Sequence, residues 1–196
     1  MRRKNRESAA RENKHVREDR PDKHSQLRAE EDLYELLEHD ENPFLLVLDC
    51  VQDPHNLGAI MRTADGAGVT AVIAPKDKSV GITETVRRVS VGAADVVPFF
   101  RVTNLARTMK KLQDAGIWLI GTSDAGEAGL YESNLTGPVG IVIGAEGSGM
   151  RRLTEENCDF LIKIPMAGRV ECLNASVATA VCLYEVVRQR IAQGNR

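Results

Sequence analysis

The chain has 196 residues, of which 42% are hydrophobic and 28% are charged, and its formal net charge is −2. This length suits a single domain with a sizeable core. No apolar run approaches the roughly 20 residues that a membrane-spanning helix needs, and the charged amino terminus lacks the apolar stretch of a secretory signal. We therefore expect a cytoplasmic protein without a membrane span.

The four cysteines are widely spaced and form no Cys-x-x-Cys pair, and the histidines show no metal-ligand spacing. This pattern predicts reduced thiols, no disulfide framework and no metal site. The cysteines are Cys50, Cys158, Cys172 and Cys182.

Charge is unevenly distributed along the chain. Residues 1–28 hold ten Lys/Arg against five Asp/Glu, whereas the remainder holds sixteen against twenty-three. The first stretch has almost no large apolar residues and cannot bury a core of its own. We expect residues 1–25 to form a basic, flexible arm and residues 26–196 to form the globular domain. The arm is either a solvated tail or a segment that follows a nucleic-acid phosphate backbone.

Helical and strand patterns alternate through the rest of the chain. Leucines near helical spacing predict a first helix within 26–39. Short continuous apolar runs predict buried strands at 44–49, 70–75, 117–122, 139–147 and 159–165. Helical patterns occupy 56–68, 82–94, 103–116 and 174–191. This alternation predicts an α/β fold with a mostly parallel sheet and helices on both faces.

Ligands of such sheets bind outside the carboxyl ends of the strands. The segments that follow the predicted strands are 49–56, 122–124, 144–149 and 165–174, and the stretches richest in Gly, Asn and acidic residues fall there. We therefore expect a site where these segments meet.

The first candidate stretch is 49–65, in which Asp53-Pro54 ends a strand and His55 or Asn56 begins a helix. Arg62 lies off the apolar stripe of that helix and points away from the core. One interpretation is a functional cation, and the alternative is a surface ion pair with Asp65 at i, i+3.

The second stretch, 143–150, has glycines at 144, 147 and 149 after a buried strand. Its Gly-x-x-Gly-x-Gly pattern is neither the dinucleotide fingerprint nor a P-loop. Glu146 argues against a bound phosphate, so a cationic or hydroxyl-bearing ligand fits better. A purely structural turn is the alternative.

In the third stretch, 165–181, Pro165 closes a strand and Asn174 is a suitable N-cap for the last helix. That helix is apolar almost all round from Val177 to Tyr184. Burial by its own domain and by a symmetric partner chain is therefore expected. The alternative is a loop that only caps a core helix.

Taken in order, these stretches resemble the three motifs of SpoU-type (TrmH-like) RNA 2′-O-ribose methyltransferases of the SPOUT superfamily. The residues that carry the resemblance are DPHNLGAIMRTADGAGV, IVIGAEGSGMRR and IPMAGRVECLNASVATAVCLYEVVRQR. The resemblance covers about residues 43–191 and favours the RlmB-like branch, which methylates guanosine in 23S ribosomal RNA. It implies a C-terminal trefoil knot, an S-adenosylmethionine (S-adenosyl-L-methionine) site in that knot, a homodimer, and ribosomal or transfer RNA as partner.

The resemblance also assigns roles to particular residues. It implies a catalytic centre of Asn56, Arg62, Glu146 and Asn174. An arginine rarely gives up its proton, so we expect Arg62 to hold a phosphate and stabilise negative charge. The implied cofactor-binding residues are Thr122, Gly144, Gly147, Ile164, Met166, Leu173 and Ser176.

The chain departs from this branch of the family in two respects. Cys172 stands where the family usually has serine, and a thiol is a weaker hydrogen-bonding group than a hydroxyl. Members of the branch also carry an N-terminal RNA-binding domain resembling a ribosomal protein, whereas this chain has a short basic segment. A catalytically impaired RNA- or ribosome-binding relative is therefore the alternative function.

Overall fold

A parallel sheet of seven strands forms the centre of the computed structural model, which describes residues 30–194. The strands are β1 (Phe44–Leu48), β2 (Ala71–Pro75), β3 (Phe99–Val102), β4 (Trp118–Thr122), β5 (Ala128–Gly129), β6 (Val139–Ile143) and β7 (Phe160–Lys163). Their order in the sheet is β3-β2-β1-β6-β4-β7-β5. All the carboxyl ends consequently lie along one edge, as the sequence predicts.

Helices cover both faces of this sheet. They are α1 (Glu30–Glu38), α2 (Pro54–Ala67), α3 (Glu84–Ser90), α4 (Ala93–Val96), α5 (Leu105–Asp114), α6 (Arg152–Glu156) and α7 (Ala175–Ala192), and a 3₁₀ turn spans Leu130–Glu132. Neighbouring strand residues point to opposite faces. Leu46 and Leu48 accordingly join a core with α2 and α7, whereas Leu45 and Val47 join one with α1 and α5.

The predicted α/β class, with a mostly parallel sheet covered on both faces, is confirmed. Pairing between the two central strands aligns Leu46 with Ile141. The C-terminal trefoil knot is consistent with this fold and stays an expectation of the resemblance.

The clearest differences from the predicted elements are a broken helix, an earlier helix start and a shorter strand. The predicted helix over 82–94 is broken into α3 and α4, because Val91 and Gly92 take left-handed φ angles of 54° and 87°. Helix α2 begins at Pro54 and not at His55 or Asn56, since proline fits the first helical position. Asp53 caps it, accepting a 2.9 Å hydrogen bond from the His55 N–H. The strand predicted over 139–147 ends at Ile143, where a glycine turn takes over.

The predicted basic arm, residues 1–25, lies outside the described residues, so the domain boundary at residue 26 stays a prediction. Among residues 30–194, no helix is both long enough and apolar enough to cross a membrane.

Candidate functional site

A cleft of about 450 Å³ opens at the carboxyl edge of the sheet, between the loops that follow β4, β6 and β7. The start of α7 closes its remaining side. Six of the seven predicted cofactor-binding residues line this cleft, namely Thr122, Gly144, Gly147, Ile164, Met166 and Leu173. Ser176 does not line it and contacts Asn174 instead.

The glycine-rich turn after β6 forms one wall of the cleft. Backbone hydrogen bonds of 3.0 and 2.9 Å between Ala145 and Gly149 close the turn. A Cβ atom at Gly144 would lie 2.2 Å from the carbonyl carbon of Gly149, so only glycine fits there. Gly147 and Gly149 have φ angles of 79° and 68°, which glycine adopts without steric cost. The turn therefore brings bare backbone up to the cleft.

The charge of the cleft is acidic. Of the described residues that line it, four carry carboxylates and none is a lysine or arginine. This acidic lining suits a cationic ligand, which is one of the ligands that the presence of Glu146 in the sequence led us to expect. The sequence pointed to the segments after β4 and β7 but did not single out the other three carboxylates, which are Asp124, Glu155 and Glu171.

A hydrogen-bonded network of three predicted catalytic residues adjoins the cleft. Glu146 Oε2 accepts from the side-chain amides of Asn56 and Asn174, each over 3.2 Å. The Asn174 amide also donates to Asn56 Oδ1 over 3.0 Å. The structure thus brings together side chains from α2, the glycine turn and the start of α7.

Asn174 has a second role, because it is the N-cap of α7. Its Oδ1 accepts from the backbone N–H of Ser176 over 2.9 Å and from the Ser176 hydroxyl over 2.6 Å. The predicted cap is confirmed. It leaves the amide NH₂ free to serve the network, so capping and site geometry use opposite ends of the same side chain.

Arg62 lies apart from this network. It sits about 9 Å further along the α2 axis than Asn56, because each helical residue rises 1.5 Å. Its side chain is exposed and points away from the core, as its helical position predicts. The structure therefore places an accessible cation on α2, outside the network.

The four cysteines are all free, and they differ in environment. Desolvation raises the pKa of Cys158 and of Cys182 to about 12 in each case, so both thiols stay protonated at neutral pH. Cys172 is exposed and lines the cleft. Among residues 30–194, no group of three or more His, Cys, Asp or Glu side chains is placed to hold a metal ion.

A sequence profile of the SpoU rRNA Methylase family matches residues 43–184. The 23S rRNA (guanosine-2′-O-)-methyltransferase RlmB of Pseudomonas putida is 60% identical over 167 residues, which cover 85% of this chain and 67% of that protein. RlmB of Photobacterium profundum is 61% identical over 161 residues, which cover 82% of this chain and 66% of that protein. The chain thus spans about two thirds of the length of these relatives.

Solved structures of the same kind superpose on the chain. The SpoU methyltransferase AviRb of Streptomyces viridochromogenes, in complex with AdoMet, is 30% identical with a TM-score of 0.73, covering 78% of this chain and 62% of that one. The TrmH/SpoU tRNA modifying enzyme of A. aeolicus is 29% identical with a TM-score of 0.71, covering 84% of this chain and 85% of that one. The chain therefore belongs to the SpoU rRNA Methylase family, as its three motifs indicate.

Proposed function

We propose that the chain is an S-adenosylmethionine-dependent RNA 2′-O-ribose methyltransferase that acts on guanosine in ribosomal RNA. Relatives about 60% identical carry the name 23S rRNA (guanosine-2′-O-)-methyltransferase. The observation that carries the proposal is the network of Asn56, Glu146 and Asn174 beside an acidic, glycine-walled cleft. Transfer RNA is the alternative substrate, since one structural relative is named a tRNA modifying enzyme.

The residues of the cleft fit this cofactor. When bound, S-adenosylmethionine supplies a methyl group on a positively charged sulfonium. The carboxylates of the cleft suit that charge, and Ile164, Met166 and Leu173 offer apolar surface to an adenine ring. Gly144 and Gly147 let the backbone approach the ligand closely. The volume of about 450 Å³ lies in the range of small-molecule sites.

The reaction requires that a ribose 2′-hydroxyl be aligned with the methyl group and that its proton pass to solvent water as the new carbon–oxygen bond forms. Alignment of reacting groups can contribute roughly 7–11 kcal/mol to lowering a barrier. Asn56 and Asn174 hold the Glu146 carboxylate in one orientation, so these three side chains are preorganised to position the ribose. Arg62, which is exposed and lies apart from the network, binds an RNA phosphate beside the reacting ribose and so helps to place that ribose.

A second copy of the chain is the partner we propose for α7. Val177, Tyr184 and Ile191 are 47%, 51% and 58% exposed, although all three are large and apolar. Their spacing of seven residues places them on one face of the helix. Covering this face in a homodimer removes that apolar surface from water. Action on ribosomal RNA also favours a cytoplasmic location.

The second candidate is a relative that binds RNA or a ribosomal particle without turnover. Cys172 favours it, because this thiol lines the cleft at a position where the family usually has a hydroxyl. The two functions differ in whether any ribose is methylated.

Two measurements test the proposal together. Calorimetric titration of the chain with S-adenosylmethionine should show saturable binding. Ribose-methylation mapping of RNA from a deletion strain and its parent should show one ribose that loses its methyl group. Cofactor binding without any lost methylation would favour the impaired relative, and absence of binding would overturn both the cofactor and the enzyme assignment.

A further inference from the structure

One buried aspartate holds both ends of the turn that carries Glu146. Asp49 directly follows β1, and it is 0% exposed. Its backbone N–H donates to the carbonyl of Ile143 over 2.8 Å, immediately before the turn begins. Its carboxylate Oδ2 accepts from the backbone N–H of Arg151 over 2.8 Å, immediately after residues 144–150. Asp49 thus fixes the entrance and the exit of the turn.

The guanidinium of Arg151 completes this clamp. Its Nε and Nη2 lie 2.7 and 2.6 Å from Asp49 Oδ1, so one residue occupies both carboxylate oxygens. Burial by itself raises the pKa of Asp49, but the hydrogen bonds from Arg151 and a further one from Thr154 outweigh it and hold that pKa below its ordinary value. The pair therefore stays ionised at neutral pH. Loss of Arg151 leaves the buried Asp49 charge without compensation.

The position of the turn decides the geometry of the site. Residues 144–150 form the glycine-rich wall of the cleft, and Glu146 reaches from them to Asn56 and Asn174. These hydrogen bonds are 3.2 Å long, so a shift of about 1 Å in the turn would break them. Anything that sets the path of the turn therefore sets both the cleft wall and the network.

We propose that Asp49 and Arg151 are positioning residues for methyl transfer. They touch neither the cleft network nor the reacting atoms, and they act by fixing the turn that presents Glu146. This inference rests on the proposed function, because it assigns a role within the same site. Neither residue was singled out by the sequence motifs, since Asp49 looks like the end of a strand and Arg151 like the start of a helix.

Arg151→Gln tests the proposal, with Arg152→Gln as the matched control. Arg152 is the next residue, and its guanidinium pairs with the exposed Glu156 over 2.8 Å. In Arg151→Gln we expect the Kd for S-adenosylmethionine to rise about tenfold, as after loss of one well-placed contact. We expect kcat to fall about 100-fold, because small misplacements carry effects of that order. The control should remain within about twofold of wild type for both. Equal values in wild type and Arg151→Gln would overturn the proposal.

Coupling to Glu146 separates positioning from a general loss of stability. If Arg151 acts on the rate through Glu146, the kcat of Glu146→Gln/Arg151→Gln at saturating S-adenosylmethionine should be no lower than that of Glu146→Gln alone. A merely structural role predicts losses that multiply, and that result would contradict the proposal. Amide hydrogen exchange of residues 144–150 gives a readout without substrate, and we expect faster exchange in Arg151→Gln than in Arg152→Gln.

A charge-neutral variant covers the case in which Arg151→Gln is poorly folded. Asp49→Asn/Arg151→Gln removes the unpaired buried charge, so the thermal midpoint should recover while the raised Kd persists. If the thermal midpoint and the Kd both returned to wild-type values, the unpaired charge of Asp49 alone would explain the defect. That result would overturn the positioning role. If the wild-type chain binds no S-adenosylmethionine, the proposed function itself fails. Normal wild-type binding with an unchanged Arg151→Gln rejects only the positioning pair.

Discussion

Asn174 donates a 3.0 Å hydrogen bond to the side-chain oxygen of Asn56, which lies 118 residues earlier in the chain. This contact joins the first motif to the third, and Glu146 of the second motif accepts from both amides. The three motifs therefore converge at the level of individual atoms. The geometry makes Asn174 a sensitive point, because the same side chain also caps α7.

Substitutions at Asn174 should separate capping from the network. Asn174→Ser keeps an oxygen for the cap, so we expect stability within about 0.5 kcal/mol of wild type. It removes both amide donors, and we expect at least a 100-fold loss in methylation rate, as for removal of one catalytic hydrogen-bond donor. Asn174→Ala should in addition lose about 1 kcal/mol of stability. Urea unfolding and single-turnover methylation measure the two effects, and a serine variant with the wild-type rate would remove Asn174 from the centre.

Arg62→Ala should abolish methylation while leaving cofactor binding intact. Arg62 is exposed and lies apart from the cleft, so its loss removes the proposed RNA contact without changing the cleft wall. Calorimetry with S-adenosylmethionine and a methylation assay with ribosomal RNA provide the readouts. Arg107→Ala is the control, because Arg107 is an exposed cation on α5 whose ion pair with Glu30 is 3.7 Å long. Methylation at the wild-type rate by Arg62→Ala would disprove the assigned role.

Gly144→Ala should weaken cofactor binding, because the added Cβ would lie 2.2 Å from a backbone carbon of Gly149. The turn must move to relieve this overlap, and the cleft wall moves with it. We expect the Kd to rise about tenfold or more, equivalent to about 1.4 kcal/mol. Gly137→Ala is the matched control, since a Cβ there meets nothing within 4 Å. Calorimetric titration of both variants decides the point, and equal affinities would show that the turn tolerates the change.

Cys172→Ser should give equal or higher activity. Cys172 is exposed in the cleft, and a hydroxyl donates and accepts hydrogen bonds better than a thiol. Cys182→Ser makes the same atomic exchange at a fully buried position and should cost about 1–3 kcal/mol of stability. Steady-state kinetics and thermal unfolding compare the two. A large loss of activity in Cys172→Ser would mean that the site is adapted to its thiol.

Acid should destabilise the fold partly through Asp49. Its pKa in the folded protein lies below the ordinary value of 3.8, so its contribution to stability is fully present above that value. The contribution is lost as the pH falls through 3.8 towards the folded pKa. Asp49→Asn should therefore be less stable at pH 7 and should lose less stability between pH 5 and pH 3 than wild type.

The control for this pH dependence is Asp114→Asn. Asp114 pairs with Lys110 over 3.4 Å, and both side chains are about two-thirds exposed. Urea unfolding at several pH values gives the free energy of unfolding as a function of pH. We expect this free energy to change with pH in Asp114→Asn as it does in wild type. If Asp49→Asn lost as much unfolding free energy between pH 5 and pH 3 as wild type, the assigned role of Asp49 in acid destabilisation would be contradicted.

The sequence predicted the central strands because each is a short apolar run that is buried on both faces. β3 was not predicted, since Phe99–Val102 closely follows a helical pattern and includes a charged Arg101. β5 has only two residues and no pattern of its own. The break between α3 and α4 depends on the left-handed backbone at Val91, and valine rarely marks such a position.

The candidate site was predictable only in part, because sequence periodicity shows where strands lie along the chain but not which strands are neighbours. Spacing placed Asn56, Glu146 and Asn174 after different strands, and the sheet edge brought those segments together. Contact between the three side chains depends on the order of strands, which periodicity does not give. The Asp49–Arg151 clamp likewise depends on β1 and β6 being neighbours.

The position of β6 has a consequence for how the chain reaches its native state. β6 lies between β1 and β4, yet it is the sixth of the seven strands to leave the ribosome. Until Val139 can pair with Phe44, β1 keeps an unpaired edge, and β4 lacks both of its neighbours in the sheet, β6 and β7. Such edges slow folding and invite pairing with other chains. Completion of the sheet and assembly of the cleft are therefore one late event, and truncated products that end before β6 should be the aggregation-prone species.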